Sequence, residues 1–235
     1  MYASLKHAVE SAKLLLDRGA ETKIQNKDGL TCLHIATKVA EVDMVNLLIE
    51  ADQELCTIKS KAGRLPIHIA CAAGKLDAVV TLLRAMQDRS GLVSMVETQD
   101  HGGSTPLIEA CSSGNVQVVQ ELIQHGANVM KQDYNGKSPA HAAAIRGSWN
   151  ALQCLLDACK CCGLKALQLR DNQGVTPLLA AIQTGNRDVA LRLLDAGIEA
   201  TCDGKGRSAI EVAKLWERSD LVAILTAKFK YEKQM

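Results

Sequence analysis

The sequence repeats one short motif at nearly constant intervals, and this periodicity restricts the chain to a small set of architectures. The clearest copy is the segment 174–181, which reads GVTPLLAA. The first glycines of the other copies are Gly29, Gly63, Gly103, Gly136 and Gly206. Successive glycines are separated by 34, 40, 33, 38 and 32 residues. A period of about 33 residues indicates stacked repeats, each of which buries its apolar face against its neighbours.

Each copy begins with a predicted turn that leads into a helix. Asx side chains close turns by accepting hydrogen bonds from nearby backbone, and glycine adopts the positive φ that such turns need. An Asx residue stands three positions before the glycine in five copies, at Asn26, Asp100, Asp133, Asp171 and Asp203. A hydroxyl N-cap followed by proline then marks a helix start, at Thr105-Pro106, Ser138-Pro139 and Thr176-Pro177.

The spacing after the proline position predicts two short helices in each copy. Four residues later every copy has alanine, which lets a neighbouring helix approach closely: Ala36, Ala70, Ala110, Ala143, Ala181 and Ala213. Eight residues after the proline position, glycine is expected to end the first helix in four copies, at Gly74, Gly114, Gly147 and Gly185. A second helix follows with apolar residues at i, i+3, i+4 and i+7, as in the segment 116–123.

These positions together resemble the ankyrin repeat. The family's G-x-T-P-L-H-x-A signature, its glycine between helices and its Leu-Leu…Gly-Ala exit are matched from about Asn26 to the last helix. The resemblance implies an all-α solenoid of antiparallel helix pairs with β-hairpin-like tips. The predicted repeats are 26–59, 60–99, 100–132, 133–170, 171–202 and a capping repeat 203–235, after a partial repeat 1–25.

The two ends and two long intervals depart from this pattern. Leu15-Leu16 and Gly19-Ala20 align with a repeat whose turn would precede Met1, so the first unit is either an N-terminal cap or part of a longer array. Lys228, Lys230, Glu232 and Lys233 predict a polar outer face for the last helix. The two insertions, at 87–97 and 159–167, are expected to form surface loops that leave the stack undisturbed.

The bulk composition excludes several classes of function. A net charge of +1 gives no global reason to expect nucleic acid as the partner, and the basic tips lack the interleaved aromatic residues of a nucleic-acid surface. No apolar run is long enough to span a bilayer. Nine cysteines among apolar neighbours, without a recognisable signal peptide, favour a reducing compartment, the cytoplasm or the nucleus.

The chain shows no motif of a known catalytic site, and we predict neither an enzyme nor a cofactor. His34, His68 and His141 lie at equivalent repeat positions, which are too far apart for the three side chains to bind one metal ion. In ankyrin repeats this histidine orders the turn. Cys154, Cys159, Cys161 and Cys162 are close in sequence but lack the C-x2-C spacing of a zinc site. We therefore predict no metal site, with a redox-active or metal-responsive loop as the alternative.

The resemblance implies that the hairpin tips and first helices form a concave groove for another protein. The predicted partner-binding residues are Lys27, Lys61, Arg64, His101, Tyr134, Asn135, Lys137, Arg146, Asn172, Gln173, Lys205, Arg207 and Trp216. The tip and first-helix positions hold eight cations, Lys38 among them, against the single acid Asp28. We therefore expect a partner with an acidic segment, anchored by Tyr134 and Trp216.

Other interpretations remain open. The tip charges would also keep the edge of the repeats soluble without binding anything. The chain would equally serve as a free-standing adaptor or as the ankyrin portion of a larger protein, such as a membrane channel or a ubiquitin-ligase substrate receptor.

Overall fold

The computed structural model describes residues 9–39, 41–86, 92–158 and 163–232. The chain divides into two compact units, Met1–Asn128 (unit 1) and Val129–Met235 (unit 2). All regular structure in the described residues is helical, without a strand. The predicted all-α fold of stacked helix pairs is therefore confirmed, and the tips are hydrogen-bonded turns.

Unit 1 contains three helix pairs preceded by a single helix. Its elements are α1 (Val9–Asp17), α2 (Cys32–Val39), α3 (Val42–Ala51), a 3-10 helix (Gln53–Thr57), α4 (Pro66–Ala72), α5 (Leu76–Met86), α6 (Leu92–Glu97), α7 (Pro106–Ser113) and α8 (Val116–Gln124). The first helices α2, α4 and α7 pack side by side, while α3, α5 and α8 form the layer behind them and α1 packs on α3.

Unit 2 repeats this arrangement with its own three pairs. Its elements are α9 (Pro139–Arg146), α10 (Trp149–Ala158), α11 (Gly163–Ala166), α12 (Pro177–Thr184), α13 (Arg187–Asp195), α14 (Ala209–Leu215) and α15 (Ser219–Glu232). The first helices α9, α12 and α14 lie side by side, each packed on its second helix α10, α13 or α15.

The small and flexible residues of the motif act as predicted. The six alanines that follow the proline position have no exposed surface. Gly114, Gly147 and Gly185 cap the first helices in the left-handed conformation, with φ between 78° and 79°. In the last repeat Glu217 occupies the corresponding position with φ of 54°, so this repeat ends its first helix without glycine.

The prediction that the insertions are surface loops is wrong for their described parts. Residues 92–97 of the first insertion form α6, and Met95 and Val96 are buried at 3% and 1% exposure. Residues 163–166 of the second form α11, and Ala166 and Leu167 are fully buried. The apolar residues in both insertions fold back onto the neighbouring helices α7 and α10, because burial stabilises them more than exposure in a loop would.

The described side chains of the last helix α15 include two that belong to the core. Leu221 and Leu225 are fully buried, and Lys228 pairs with Asp195 of α13. Lys230, Glu232 and Lys233, which predicted the polar outer face, lie outside the described side chains.

Candidate protein-binding surface

The tips are held by the Asx side chains that the sequence indicates. In unit 1, Asn26 Oδ1 accepts hydrogen bonds from the backbone N–H groups of Asp28 and Leu30, each at 2.9 Å. The same pair of bonds is made by Asp100 in unit 1 and by Asp133, Asp171 and Asp203 in unit 2. Each of these carboxylates keeps its charge, while its Oδ1 fixes the backbone of its own tip.

Backbone hydrogen bonds join each tip to the next one in its unit. In unit 1 the Lys61 N–H donates to the Asp28 carbonyl at 3.0 Å and the His101 N–H to the Ala62 carbonyl at 2.9 Å. A Cβ on Gly29 would lie 2.5 Å from the Lys61 nitrogen, so this approach needs glycine. In unit 2 the corresponding bonds run from Asn172 to Asn135 and from Gly204 to Gln173. The backbone of the successive tips in each unit is thus fixed, while most of their side chains are exposed.

The three repeat histidines have the predicted structural role. His68 Nδ1 accepts from the Leu65 N–H at 3.2 Å, and its Nε2–H donates to the Thr98 carbonyl at 3.1 Å. His34 and His141 make the equivalent pair of bonds. Burial lowers the pKa of all three imidazoles, that of His68 to about 4. Each ring is therefore neutral and joins one turn to the next repeat.

Two of the predicted binding cations are already paired with acids. The Arg64 guanidinium lies 2.7 Å from Glu109 Oε2 and 3.8 Å from Asp100 Oδ2. Arg207 lies 2.6 Å from Asp203 Oδ2, and this hydrogen bond lowers the pKa of the Asp203 carboxyl. Both arginines are half-buried. The count of eight cations against one acid therefore overstates the unpaired positive charge, because acids outside the chosen positions pair with two of the cations.

The other predicted binding residues are exposed. Of the eight cations predicted at the tip and first-helix positions, six are exposed and make no ion pair with a described residue: Lys27, Lys38 and Lys61 in unit 1, and Lys137, Arg146 and Lys205 in unit 2. Tyr134 is 66% exposed and Trp216 is 49% exposed. The two aromatic residues proposed as anchors are thus accessible, and both belong to unit 2.

Unit 1 has a largely apolar hollow between α2 and α4, which we call the unit 1 groove. Its volume is about 480 Å³. It is lined by Asn26, Leu30, His34, Ile35, Lys38, Val39, Arg64, Ile69, Ala72 and Ala73. Residues of the tips, such as Arg64, and of the first helices, such as Lys38, therefore meet here.

Ile35 and Ile69 of this groove were missed by the sequence prediction. They lie three residues after the proline position, one turn before Lys38 and Ala72 near the ends of the same helices. The signal was present, because this position holds isoleucine in the first two copies and Glu109 in the third.

Unit 2 has a more polar hollow between α9 and α12, the unit 2 groove, with a volume of about 310 Å³. It is lined by Asn135, Lys137, His141, Ile145, Asp171, Asn172, Gln173, Val175, Ala180 and Gln183. Four of the partner-binding residues predicted from the sequence, Asn135, Lys137, Asn172 and Gln173, are brought together in it.

The cysteine-rich segment is described only in part. Cys154 is half-buried in α10, while Cys159, Cys161 and Cys162 lie outside the described residues. Among the residues that are described, no group of three His, Cys, Asp or Glu side chains is placed to hold a metal ion. Burial raises the pKa of the Cys56 thiol to about 11, so this thiol is protonated and unreactive at neutral pH.

No helix in the described ranges is long and apolar enough to cross a membrane.

Comparison with known proteins gives one family. A family model for ankyrin repeats in three copies matches residues 1–90 and again 90–166. The ankyrin repeat domain of Bcl-3, a member of the IκB protein family, matches the structure with a TM-score of 0.71 at 22% identity, covering 90% of this chain and 92% of that one.

Individual relatives differ widely in length. The chain is 29% identical to the probable 26S proteasome regulatory subunit p28 of Saccharomyces cerevisiae, covering 77% of this chain and 92% of the relative. It is 29% identical to human transient receptor potential cation channel subfamily A member 1 and 34% identical to Rabankyrin-5 of Mus musculus. These matches cover 91% and 55% of this chain, but it spans only 19% and 11% of the two relatives.

Proposed function

Because this chain belongs to the ankyrin-repeat family, we propose that it is a non-enzymatic interaction module that binds a partner protein on its tips and first helices. Ankyrin repeat domains are typically protein–protein interaction modules. The partner segment that suits this surface is acidic, because the unpaired charges on the surface are mostly positive.

The observation that carries this proposal is the group of six exposed cations without an acidic partner in the described residues. Asp100 and Asp203 at the tips are paired with Arg64 and Arg207, whereas none of these six cations makes an ion pair with a described residue. Asp28 is the exposed acid among the predicted positions. An excess of one charge on a rigid surface accelerates the association of an oppositely charged partner.

The fixed backbone of the tips also favours binding. Hydrogen bonds between adjacent tips hold the Lys61 and Asn172 backbones in place. A surface that is ordered before it binds loses less conformational entropy on association. Modest contacts are then sufficient for specific recognition.

Tyr134 and Trp216 are the proposed aromatic anchors in unit 2. Exposed Tyr and Trp side chains are enriched among the residues that dominate interface energies. Leu215, 57% exposed, precedes Trp216 at the end of α14 and enlarges the apolar surface available there. Truncation of either aromatic residue to alanine is expected to weaken binding by at least tenfold.

Cys32 and Cys71 are buried thiols without a disulfide bond in adjacent first helices. They support a reducing compartment, the cytoplasm or the nucleus, as the place where the module acts.

The proposal is tested by charge reversal within each unit. A partner is first isolated by affinity capture with the full chain and identified by mass spectrometry, and its association is then measured at several salt concentrations. The unit 1 variant changes Lys27, Lys38 and Lys61 to Glu, and the unit 2 variant changes Lys137, Arg146 and Lys205 to Glu. The control changes to Glu three exposed cations away from the tips and first helices, namely Lys13 of α1, Arg84 of α5 and Arg187 of α13.

At least one tip variant is expected to associate about tenfold more slowly at low salt, with a weaker salt dependence. The control should associate at the wild-type rate. Unchanged rates in both tip variants, or an equal loss in the control, would refute recognition by this surface.

A further inference from the structure

We propose that the unit 1 groove binds one bulky apolar side chain of a partner polypeptide, leucine or an aromatic residue, with a carboxylate beside it in the partner's sequence. This inference rests on the proposed function, which it narrows to one groove and one class of ligand. It does not depend on unit 2.

The floor of the unit 1 groove is apolar because two adjacent first helices carry isoleucine at the same position. Ile35 of α2 and Ile69 of α4 both line it and are both only half-buried. Each therefore presents apolar surface that the fold of unit 1 does not cover. A ligand that removes this surface from water gains about 25 cal/mol for each Å² that it covers.

The room in the groove comes from small residues at the end of α4. Ala72 and Ala73 are exposed and line the hollow, opposite Val39 at the end of α2. Larger side chains at these positions would fill the space. The hollow therefore exists because two surface positions hold alanine, although packing of the fold does not require a small side chain there.

The ionisable side chains at the border already have a partner, with one exception. Arg64 is paired with Glu109, and the His34 imidazole is neutral and hydrogen-bonded on both sides. A charged ligand group would gain little from them. The part of the ligand inside the groove is therefore apolar.

The exception is Lys38, which lies at the rim, is exposed, and makes no ion pair with a described residue. Lys27 and Lys61 on the adjacent tips are also exposed, against Asp28 as the exposed acid there. This local excess of positive charge favours a carboxylate next to the apolar side chain. An acidic, apolar peptide thus matches both the floor and the rim.

The experiment uses the full chain with ¹³C-labelled isoleucine methyl groups and short synthetic peptides as probes. The test peptides hold one Leu, Phe or Trp between glutamates in a Gly/Ser background. Matched peptides replace the apolar residue by Ser, or the glutamates by Lys. Phenylacetate, an aromatic ring with a carboxylate, tests whether a small molecule suffices.

The Ile35 and Ile69 methyl signals are expected to shift with the Leu, Phe or Trp peptides, while those of Ile49 and Ile123 on second helices stay in place. The Ser peptide should bind at least tenfold more weakly, because one buried apolar side chain contributes on the order of a factor of ten or more. Lys38→Glu should weaken the glutamate peptide about two- to fivefold.

A filling variant separates the groove from the rest of the surface. Ala72→Phe places a ring in the hollow without changing the core, and should abolish the methyl shifts at unchanged thermal stability. Its matched control is Ser112→Phe, which adds the same ring at the same repeat position of α7, an exposed site outside the groove.

Three outcomes would overturn this inference. The Ser peptide shifts Ile35 and Ile69 as strongly as the Leu, Phe and Trp peptides, phenylacetate does so as strongly as the peptides, or the peptides bind Ala72→Phe as well as wild type. If the captured partner still requires the tip cations in any of these cases, the proposed function stands and only the assignment of this groove fails.

Discussion

Acidification should weaken unit 1 through His68. The ring accepts a hydrogen bond from the Leu65 N–H at Nδ1 and donates from Nε2 to the Thr98 carbonyl, so only the neutral form satisfies both partners. Burial, with a smaller contribution from the Arg64 charge, lowers the pKa of His68 from 6.5 to about 4. The unfolded chain takes up a proton near pH 6.5, whereas the folded chain resists it until about pH 4. Stability is therefore complete above pH 6.5 and falls as the pH is lowered between these values.

The size of the loss follows from the two pKa values. Each unit of difference corresponds to about 1.4 kcal/mol. At pH 5 the unfolded imidazole is almost fully protonated while the folded one is still mostly neutral. The loss attributable to His68 between pH 7 and pH 5 is then about 2 kcal/mol, and it approaches about 3 kcal/mol below pH 4.

The assay is urea unfolding of wild type and His68→Leu at pH 7 and pH 5. Leucine is chosen because Leu179 occupies the equivalent position in unit 2 and is fully buried there. The variant loses the hydrogen bonds and is less stable at pH 7, but its loss between pH 7 and pH 5 should be smaller than that of wild type by about 2 kcal/mol.

Ile67→Val is the control, because it destabilises the same buried turn by about 1 kcal/mol without removing a titrating group. It should keep the pH dependence of wild type. Equal pH dependence in wild type and His68→Leu would refute the assignment of a neutral, structural His68.

Further predictions concern the elements that hold the repeats in shape, each measured by thermal or urea unfolding. Thr105→Ala removes the N-cap oxygen that accepts from the Ile108 N–H and should cost about 1 kcal/mol. Gly136→Ala should cost more than Gly206→Ala: both glycines have positive φ, but only the Cβ on Gly136 would lie 2.7 Å from the Asn172 nitrogen, so equal losses would contradict the importance of close contact between tips. Ala143→Leu should cost about 1–3 kcal/mol by overpacking the helix interface, where Ala143 is fully buried.

The fold was predictable because its determinants are local and repeated. Glycine at a positive φ, an Asx turn and a hydroxyl N-cap each act within four residues of themselves, and six copies of the same spacing identify them. Asp171 illustrates this, since both backbone groups that it binds belong to its own tip, Gln173 and Val175. The role of His141 was predictable for the same reason, through the repeated position that it shares with His34 and His68.

The charge pairing and the grooves were harder to predict from the sequence, because they depend on contacts between neighbouring repeats. Glu109 neutralises Arg64 although the two residues are 45 positions apart in the sequence, and no repeat spacing indicates that pair. The insertions were misjudged because their length was used and their apolar residues, such as Met95 and Val96, were not. Predicting the unit 1 groove would have required one further comparison, between the residues that stand three positions after the proline position in adjacent copies.

The same comparison explains how a uniform scaffold acquires a specific surface. Positions that hold the stack are nearly invariant among the copies, so variation is confined to residues whose change leaves the fold intact. At the position three residues after the proline position, unit 1 has Ile35, Ile69 and Glu109, whereas unit 2 begins with Ala142 and Ala180. The alanines are buried at 8% and 4% exposure, but the isoleucines are only half-buried. The stack does not require a half-buried isoleucine there, since alanine occupies the position in unit 2. The apolar ligand that we propose for unit 1 accounts for the isoleucines.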